Sequence, residues 1–171
     1  MNINNAIIDG ARILKKNNIK LPELDSEILL AEVLKKNREY IVMNLGKILK
    51  DNSLKVYQDL IKQRSSGKPI AYLIKKKDFW KSEFMIDEGI LIPRPDTEIL
   101  VQETLKILKN KSFANILDIG TGSGCIILSI LKEKPEFYGK GIDISGKSIE
   151  LCRTNSKKLG ITNKVDFIKT D

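Results

Sequence analysis

The sequence predicts an α/β chain in three parts: a helical bundle over 1–72, a β-hairpin and Pro-rich connector over 73–98, and half of a doubly wound parallel sheet over 99–171. Three observations predict it. Apolar residues recur at helical spacing through the first 66 residues. Aromatic residues then cluster about Lys81-Ser82. From Ile116 on, short apolar runs alternate with helical segments, and a glycine loop follows the first run.

Ile3, Ile7, Ala11 and Leu14, with Ile8 alongside, predict a first helix that Asn17-Asn18 interrupts. Pro22 suits the first position of a second helix, with Leu24, Ile28, Ala31 and Leu34 inward. Tyr40, Ile41 and Leu45 predict a short third, stopped near Gly46. Asp51 or Asn52 is placed to cap a fourth, with Leu54, Tyr57, Leu60 and Ile61 inward. Gly67 fits just past its end, and Pro69 bars continuation. Phe79, Trp80, Phe84, Met85 and Ile86 predict the hairpin.

Pro93 and Pro95 stiffen an extended entry to the next helix. Asp96 or Thr97 caps it, and Leu100, Val101, Thr104, Leu105 and Leu108 form its buried stripe. Ile116–Ile119, Tyr138–Ile144 and Val165–Ile168 read as strands, with helices over Ile126–Lys134 and Ser148–Leu159 between them. Strands joined through helices run parallel, with right-handed crossovers.

Composition narrows the chemistry. The 171 residues are 42% hydrophobic and 30% charged, as in globular chains. No His is present, which excludes His-based triads, imidazole bases and His-ligated metals. Cys125 and Cys152 give neither a disulfide framework nor a metal knuckle. No apolar run approaches the roughly 18 residues of a membrane span, and the N-terminus lacks secretory features, so the cytoplasm is expected. Net charge is +8, unevenly spread: residues 1–80 carry 16 Lys/Arg against 9 Asp/Glu, and residues 81–171 carry 14 against 13. A basic front half suits an acidic protein or RNA. A Lys-, Ile- and Asn-rich composition of the kind an A/T-biased genome encodes accounts for it equally well.

The glycine loop carries the chemistry. Asp118-Ile119-Gly120-Thr121-Gly122-Ser123-Gly124 joins a predicted strand to a predicted helix. Glycines there let the backbone turn sharply and approach a ligand, and the helix N-terminus offers amides and partial positive charge. Asp143 ends the next strand, 25 residues after Asp118, where a carboxylate accepts from ribose hydroxyls. A dinucleotide fingerprint would need Gly or Ala at 125, where Cys125 stands. Asp118 would also oppose a pyrophosphate, whereas it offsets the ammonium and sulfonium of S-adenosylmethionine. The spacing therefore favours S-adenosylmethionine over a nicotinamide cofactor. Gly141–Ser148 matches a nucleotide P-loop, but Gly141–Ile144 continues the apolar strand and Asp143 would face phosphates, so Lys147 is expected to be a solvated loop charge.

Several segments resemble the protein-glutamine N5-methyltransferases that modify peptide chain release factors. Leu24–Leu30 is similar to the family's second helix, Arg64–Leu73 to its interdomain junction and Phe79-Trp80 to its hairpin. Ile92-Pro93-Arg94-Pro95-Asp96-Thr97-Glu98 is the most specific match, and Ile116–Gly124 with Gly141-Ile142-Asp143 is similar to the class I methyltransferase signature.

The resemblance implies a Rossmann-like methyltransferase sheet behind a helical substrate-docking domain. It implies cofactor contacts at Gly120, Thr121, Gly122, Ser123, Gly124 and Asp143, and at Asp171 near the adenine, beside the Asp118 contact read from its charge. It also implies methyl transfer to the Gln of a Gly-Gly-Gln motif, with the release factor as partner and neither membrane, metal nor direct nucleic-acid binding. The family's catalytic Asn-Pro-Pro-Tyr segment is not among these residues: Pro22, Pro69, Pro93, Pro95 and Pro135 stand apart. The chain is therefore expected to be an N-terminal portion, without catalytic residues and inactive alone. A non-catalytic cofactor- or partner-binding module and a nucleic-acid N-methyltransferase fragment remain the alternatives.

Overall fold

A computed structural model describes residues 1–170. The predicted Asp171 contact lies outside the described residues. The chain divides into two compact units, Met1–Ile74 and the residues from Lys75 on.

The first unit is helical: α1 (Ile3–Lys16), α2 (Pro22–Leu34), α3 (Arg38–Met43), α4 (Asp51–Ser65) and α5 (Ile70–Ile74). Asn2 caps α1 by accepting the Asn5 amide at 2.8 Å, and Asn37 caps α3 by accepting that of Tyr40 at 3.0 Å. Ile3, Leu14, Leu29, Leu30, Ile41 and Ile61 fill the core. Buried with them is a polar knot. The Tyr57 hydroxyl donates to the Ala6 carbonyl at 3.1 Å and pairs with Ser26 Oγ, which in turn reaches the Ile7 carbonyl at 3.0 Å. Gly10 makes room for it, since a Cβ there would stand 2.2 Å from the Tyr57 oxygen. Arg64 pairs with Asp25 at 2.7 Å and also donates to the Lys68 carbonyl, which fixes α4 and its exit to α2.

The predicted stripes need corrections here. Ile8 is half exposed, and α2 buries Asp25, Ser26, Leu29 and Leu30 more deeply than Leu24 or Ile28. The polar knot has rotated the inward face toward Ser26. Asp51 starts α4 as its first helical residue, and Lys50 at the cap makes no side-chain bond. As expected, α4 ends before Gly67 (φ 94°) and does not pass Pro69; the separate short helix α5 that starts after Pro69 was not foreseen.

The second unit opens with an antiparallel hairpin, β1 (Lys76–Phe79) and β2 (Ser82–Met85), in the register Lys76↔Met85 to Phe79↔Ser82. Its two-residue turn puts Trp80 in the left-handed region, φ 53°. Glu98 holds that turn by accepting the Trp80 amide at 2.9 Å, and Glu133 accepts the indole N–H at 3.0 Å. After α6 (Thr97–Ile107) come β3 (Asn115–Ile119), α7 (Cys125–Glu133), β4 (Tyr138–Asp143), α8 (Gly146–Leu159), a 3-10 turn (Thr162–Lys164) and β5 (Val165–Lys169). The three strands are parallel in the order β3-β4-β5. This is the predicted half of a doubly wound sheet.

Two predictions for α6 fail. Asp96 makes no side-chain cap bond, and Leu100 is exposed while Val101 is fully buried. In β4, Gly139 and Gly141 serve packing: added Cβ atoms would stand 2.7 Å from Ile127 and 2.8 Å from the Phe167 ring. The α7 side chains and Phe167 therefore lie directly against the backbone of β4. Alternation along the strands puts Leu117, Ile119 and Ile168 on the other face, where all three stay exposed.

Candidate functional site

The C-terminal ends of β3 and β4 bring Asp118, residues 120–124 and Asp143 together. The loop turns through three left-handed glycines, Gly120 (φ 74°), Gly122 (φ 58°) and Gly124 (φ 79°), which few other residues would tolerate in series. Its amides largely face inward. Those of Gly120 and Thr121 donate to the Ile142 carbonyl at 2.9 and 3.0 Å, and that of Gly124 to the Thr121 carbonyl at 2.8 Å. The Gly122 amide donates to Asp143 Oδ2 at 2.9 Å. Asp143 Oδ1 accepts the Ser145 amide at 2.8 Å. This carboxylate is thus held by both flanking loops. With about four lone-pair sites, it keeps capacity to accept from a ligand.

Thr121 and Ser123 are buried, so their side chains serve the loop itself. The Thr121 hydroxyl donates to Asp118 Oδ2 at 2.8 Å. Burial pushes the Asp118 carboxyl above the usual carboxylate range, against the pull of the Thr121 hydroxyl and the Ile127 amide, and the Asp143 charge adds to the rise. An ionised Asp118 therefore gains from a nearby cation. A Cβ on Gly120 would meet nothing within 4 Å, and one on Gly122 only the Gly120 carbonyl oxygen at 3.9 Å. The backbone over 120–122 is thus open to close approach. An anionic pair beneath an open glycine turn fits a cationic nucleoside better than a polyphosphate.

Sequence reasoning missed the supports of this loop. The Cys152 thiol donates to the Gly122 carbonyl at 3.2 Å, and Asn155 donates to the Ser123 carbonyl at 2.9 Å. Both stand on the inner face of α8, where polar residues at helical spacing gave the only signal. Burial pushes the Cys152 thiol up to about 12 and that of Cys125 to about 11, so both stay protonated and unreactive. Lys147 is no free loop charge. It lies in the first turn of α8, pairs with Asp87 at 2.9 Å and bonds the Glu88 carbonyl. Gly141–Asp143 is strand, so the P-loop reading fails on geometry.

Among the described residues, no group of three or more His, Cys, Asp or Glu side chains could hold a metal. No helix among them is long and apolar enough to cross a membrane.

Residues 5–74 match the family model described as PrmC N-terminal domain, and residues 110–171 match one described as methyltransferase domain. A release factor glutamine methyltransferase of Clostridium acetobutylicum is 38% identical over 171 residues, all of this chain and 60% of that protein. One from Buchnera aphidicola subsp. Baizongia pistaciae is 42% identical over 98% of this chain and 60% of its own length. One from Leptospira interrogans is 37% identical over 92% and 56%. The chain thus spans 56–60% of the length of these curated relatives. A solved ribosomal protein L11 methylase from Lactobacillus delbrueckii overlaps 49% of this chain and 42% of its own at 25% identity, with a TM-score of 0.42. The fold assignment rests on the sheet itself. With both units matched in order and the identity running through the two, the chain is similar to the N-terminal portion of release factor glutamine methyltransferases.

Proposed function

We propose that this chain is the methyl-donor-binding and substrate-docking portion of an enzyme that methylates the Gln of a release factor's Gly-Gly-Gln motif. One observation carries the donor half of the reading: Asp118 and Asp143, at the ends of adjacent strands, flank a glycine turn whose outer side is open. When bound, S-adenosylmethionine supplies an electrophilic methyl group on a sulfonium centre. Asp143 accepts ribose hydroxyls with the lone pairs that Gly122 and Ser145 leave over. Asp118 offsets positive charge, with Thr121 fixing its orientation. The backbone of Gly120–Gly122 gives the ligand its close approach. These residues bind and orient; nothing here acts as a base on the glutamine amide. Positioning the amide, without a strong base, falls to the Asn-Pro-Pro-Tyr segment of the family, whose amide and carbonyl acceptors would hold the nitrogen in line with the methyl group.

The helical unit is read as the docking domain for the release factor, with its surplus of Lys and Arg forming part of the surface. Calorimetry with S-adenosylhomocysteine tests the donor half: the chain should bind it, and Asp143→Ala should weaken binding by about tenfold or more through loss of an acceptor. Equal affinity would remove Asp143 from the site. Methyl transfer by the intact polypeptide onto release factor, set against RNA and DNA, tests the substrate. Methylation of nucleic acid alone would overturn the assignment, and binding without any transfer would favour a non-catalytic module.

A further inference from the structure

α8 touches the glycine loop at two points three residues apart. Cys152 reaches the Gly122 carbonyl, and Asn155 reaches the next carbonyl, Ser123. Asn155 does more than fasten the loop. Its side chain is fully buried, and its three hydrogen bonds all go to backbone. Oδ1 accepts the Met85 amide at 2.7 Å, while Nδ2 donates to the Met85 carbonyl at 3.1 Å and to the Ser123 carbonyl at 2.9 Å. One amide group therefore pairs with both main-chain polar groups at the end of β2 and shares its remaining donor with the cofactor loop. Met85 and Ser123 lie far apart in the chain, and β2 belongs to a separate two-stranded sheet.

We propose that Asn155 is a positioning residue for the methyl donor: it sets the glycine loop through the Ser123 carbonyl and couples that loop to the β1–β2 hairpin through Met85. This rests on the reading that residues 120–124 bind the donor. The chemistry explains why the side chain must be an amide. Only Asn and Gln offer a carbonyl acceptor and two donors on one planar group. Gln carries the group one methylene too far for a site with no spare room. Asp keeps the acceptor for the Met85 amide but turns both donor bonds into oxygen–oxygen contacts. Leu or Ala leaves the Ser123 carbonyl, which is buried, and both part-buried main-chain groups of Met85 without this partner. The coupling is reciprocal: a ligand that orders the loop orders Ser123 and through Asn155 the end of the hairpin, and the hairpin supports the loop in return.

The test compares the unsubstituted chain, Asn155→Asp, Asn155→Ala and Val101→Ala. Val101 is fully buried on α6, makes no bond to the loop and controls for general destabilisation. Two measurements apply: calorimetric affinity for S-adenosylhomocysteine, and amide hydrogen exchange at residues 84–86 and 120–125 with and without that ligand. Both Asn155 variants should bind about tenfold more weakly or worse, with faster exchange at both segments even without ligand. Val101→Ala, at a similar loss of melting temperature, should keep its affinity. In the unsubstituted chain the ligand should slow exchange at Met85, and in Asn155→Asp that response should vanish. Wild-type affinity and loop exchange in both Asn155 variants would overturn the proposal. So would an equal loss of affinity in Val101→Ala. Failure of the unsubstituted chain to bind would instead refute the donor reading, while unchanged ligand-free exchange in the Asn155 variants would still refute the positioning role by itself.

Discussion

Asp118 and Tyr57 show how one buried group ties stability to pH. The Asp118 carboxyl titrates above its usual range, chiefly through burial. Its favourable contribution is complete only below the usual carboxylate range, where it is protonated, and is lost as pH rises through the raised value. Near neutral pH the ionised form weakens the fold. Asp118→Asn should therefore keep or raise the melting temperature at pH 7, lose that advantage near pH 4, and bind S-adenosylhomocysteine more weakly. A lower melting temperature at pH 7 would contradict this. Tyr57 runs to the alkaline side, its pKa pushed up from 10.0 to about 12 by burial. The stability tied to the neutral phenol is intact below pH 10 and disappears on the way to 12, up to roughly 3 kcal/mol. Denaturant titrations at pH 9 and pH 11.5 should show a larger drop for the unsubstituted chain than for Tyr57→Phe. At this scale the sequence was readable where backbone chemistry is local. Three glycines within five residues announced a turn that only left-handed φ permits. For Asn155 and Cys152 it offered no more than polar residues at helical spacing, because their partners are backbone groups far away in the chain.

Among the elements, helices and strands were legible by period, while their caps and inward faces were less so. Side chains near a helix start cap only if the entering backbone lets them, and Lys50 and Asp96 make no such bond. The inward face of α2 was misjudged because Ser26 and Asp25 are buried by specific partners, Tyr57 and Arg64, that hydrophobic spacing does not reveal. Two substitutions test the packing account. Gly141→Ala would bring a methyl carbon to 2.8 Å from the Phe167 ring and 3.0 Å from Thr121 Oγ1. It should destabilise the second unit by about 1–3 kcal/mol and loosen the glycine loop through Thr121. Ser129 on α7 is the reverse case, since its hydroxyl is buried with no hydrogen-bond partner among the described residues. Ser129→Ala should raise stability by about 1 kcal/mol. Chemical denaturation of each variant reads both effects.

For the whole molecule, the two units differ in how far they hide apolar surface. The helices of the first unit close on a shared core. The sheet of the second leaves Leu117, Ile119 and Ile168 open on one face, where parallel sheets are ordinarily covered on both. The 171-residue chain should therefore bind a hydrophobic dye and self-associate with rising concentration, as sedimentation velocity would detect. Leu117→Lys with Ile119→Thr should suppress both without unfolding the helical unit. If docking of the release factor uses the basic surplus, reversing exposed Lys20 and Lys55 should weaken binding at low salt, and high salt should erase the difference. The helices before Gly67 and the strand–helix alternation after Ile116 were plain from hydrophobic period. The apolar residues on the far side of the sheet show that a face is suited to being covered, but not what covers it. The self-contained packing of Met1–Ile74 carries a consequence for biosynthesis. A nascent chain can complete that bundle before any parallel strand has left the ribosome, so the slow pairing that follows proceeds behind an already folded leader.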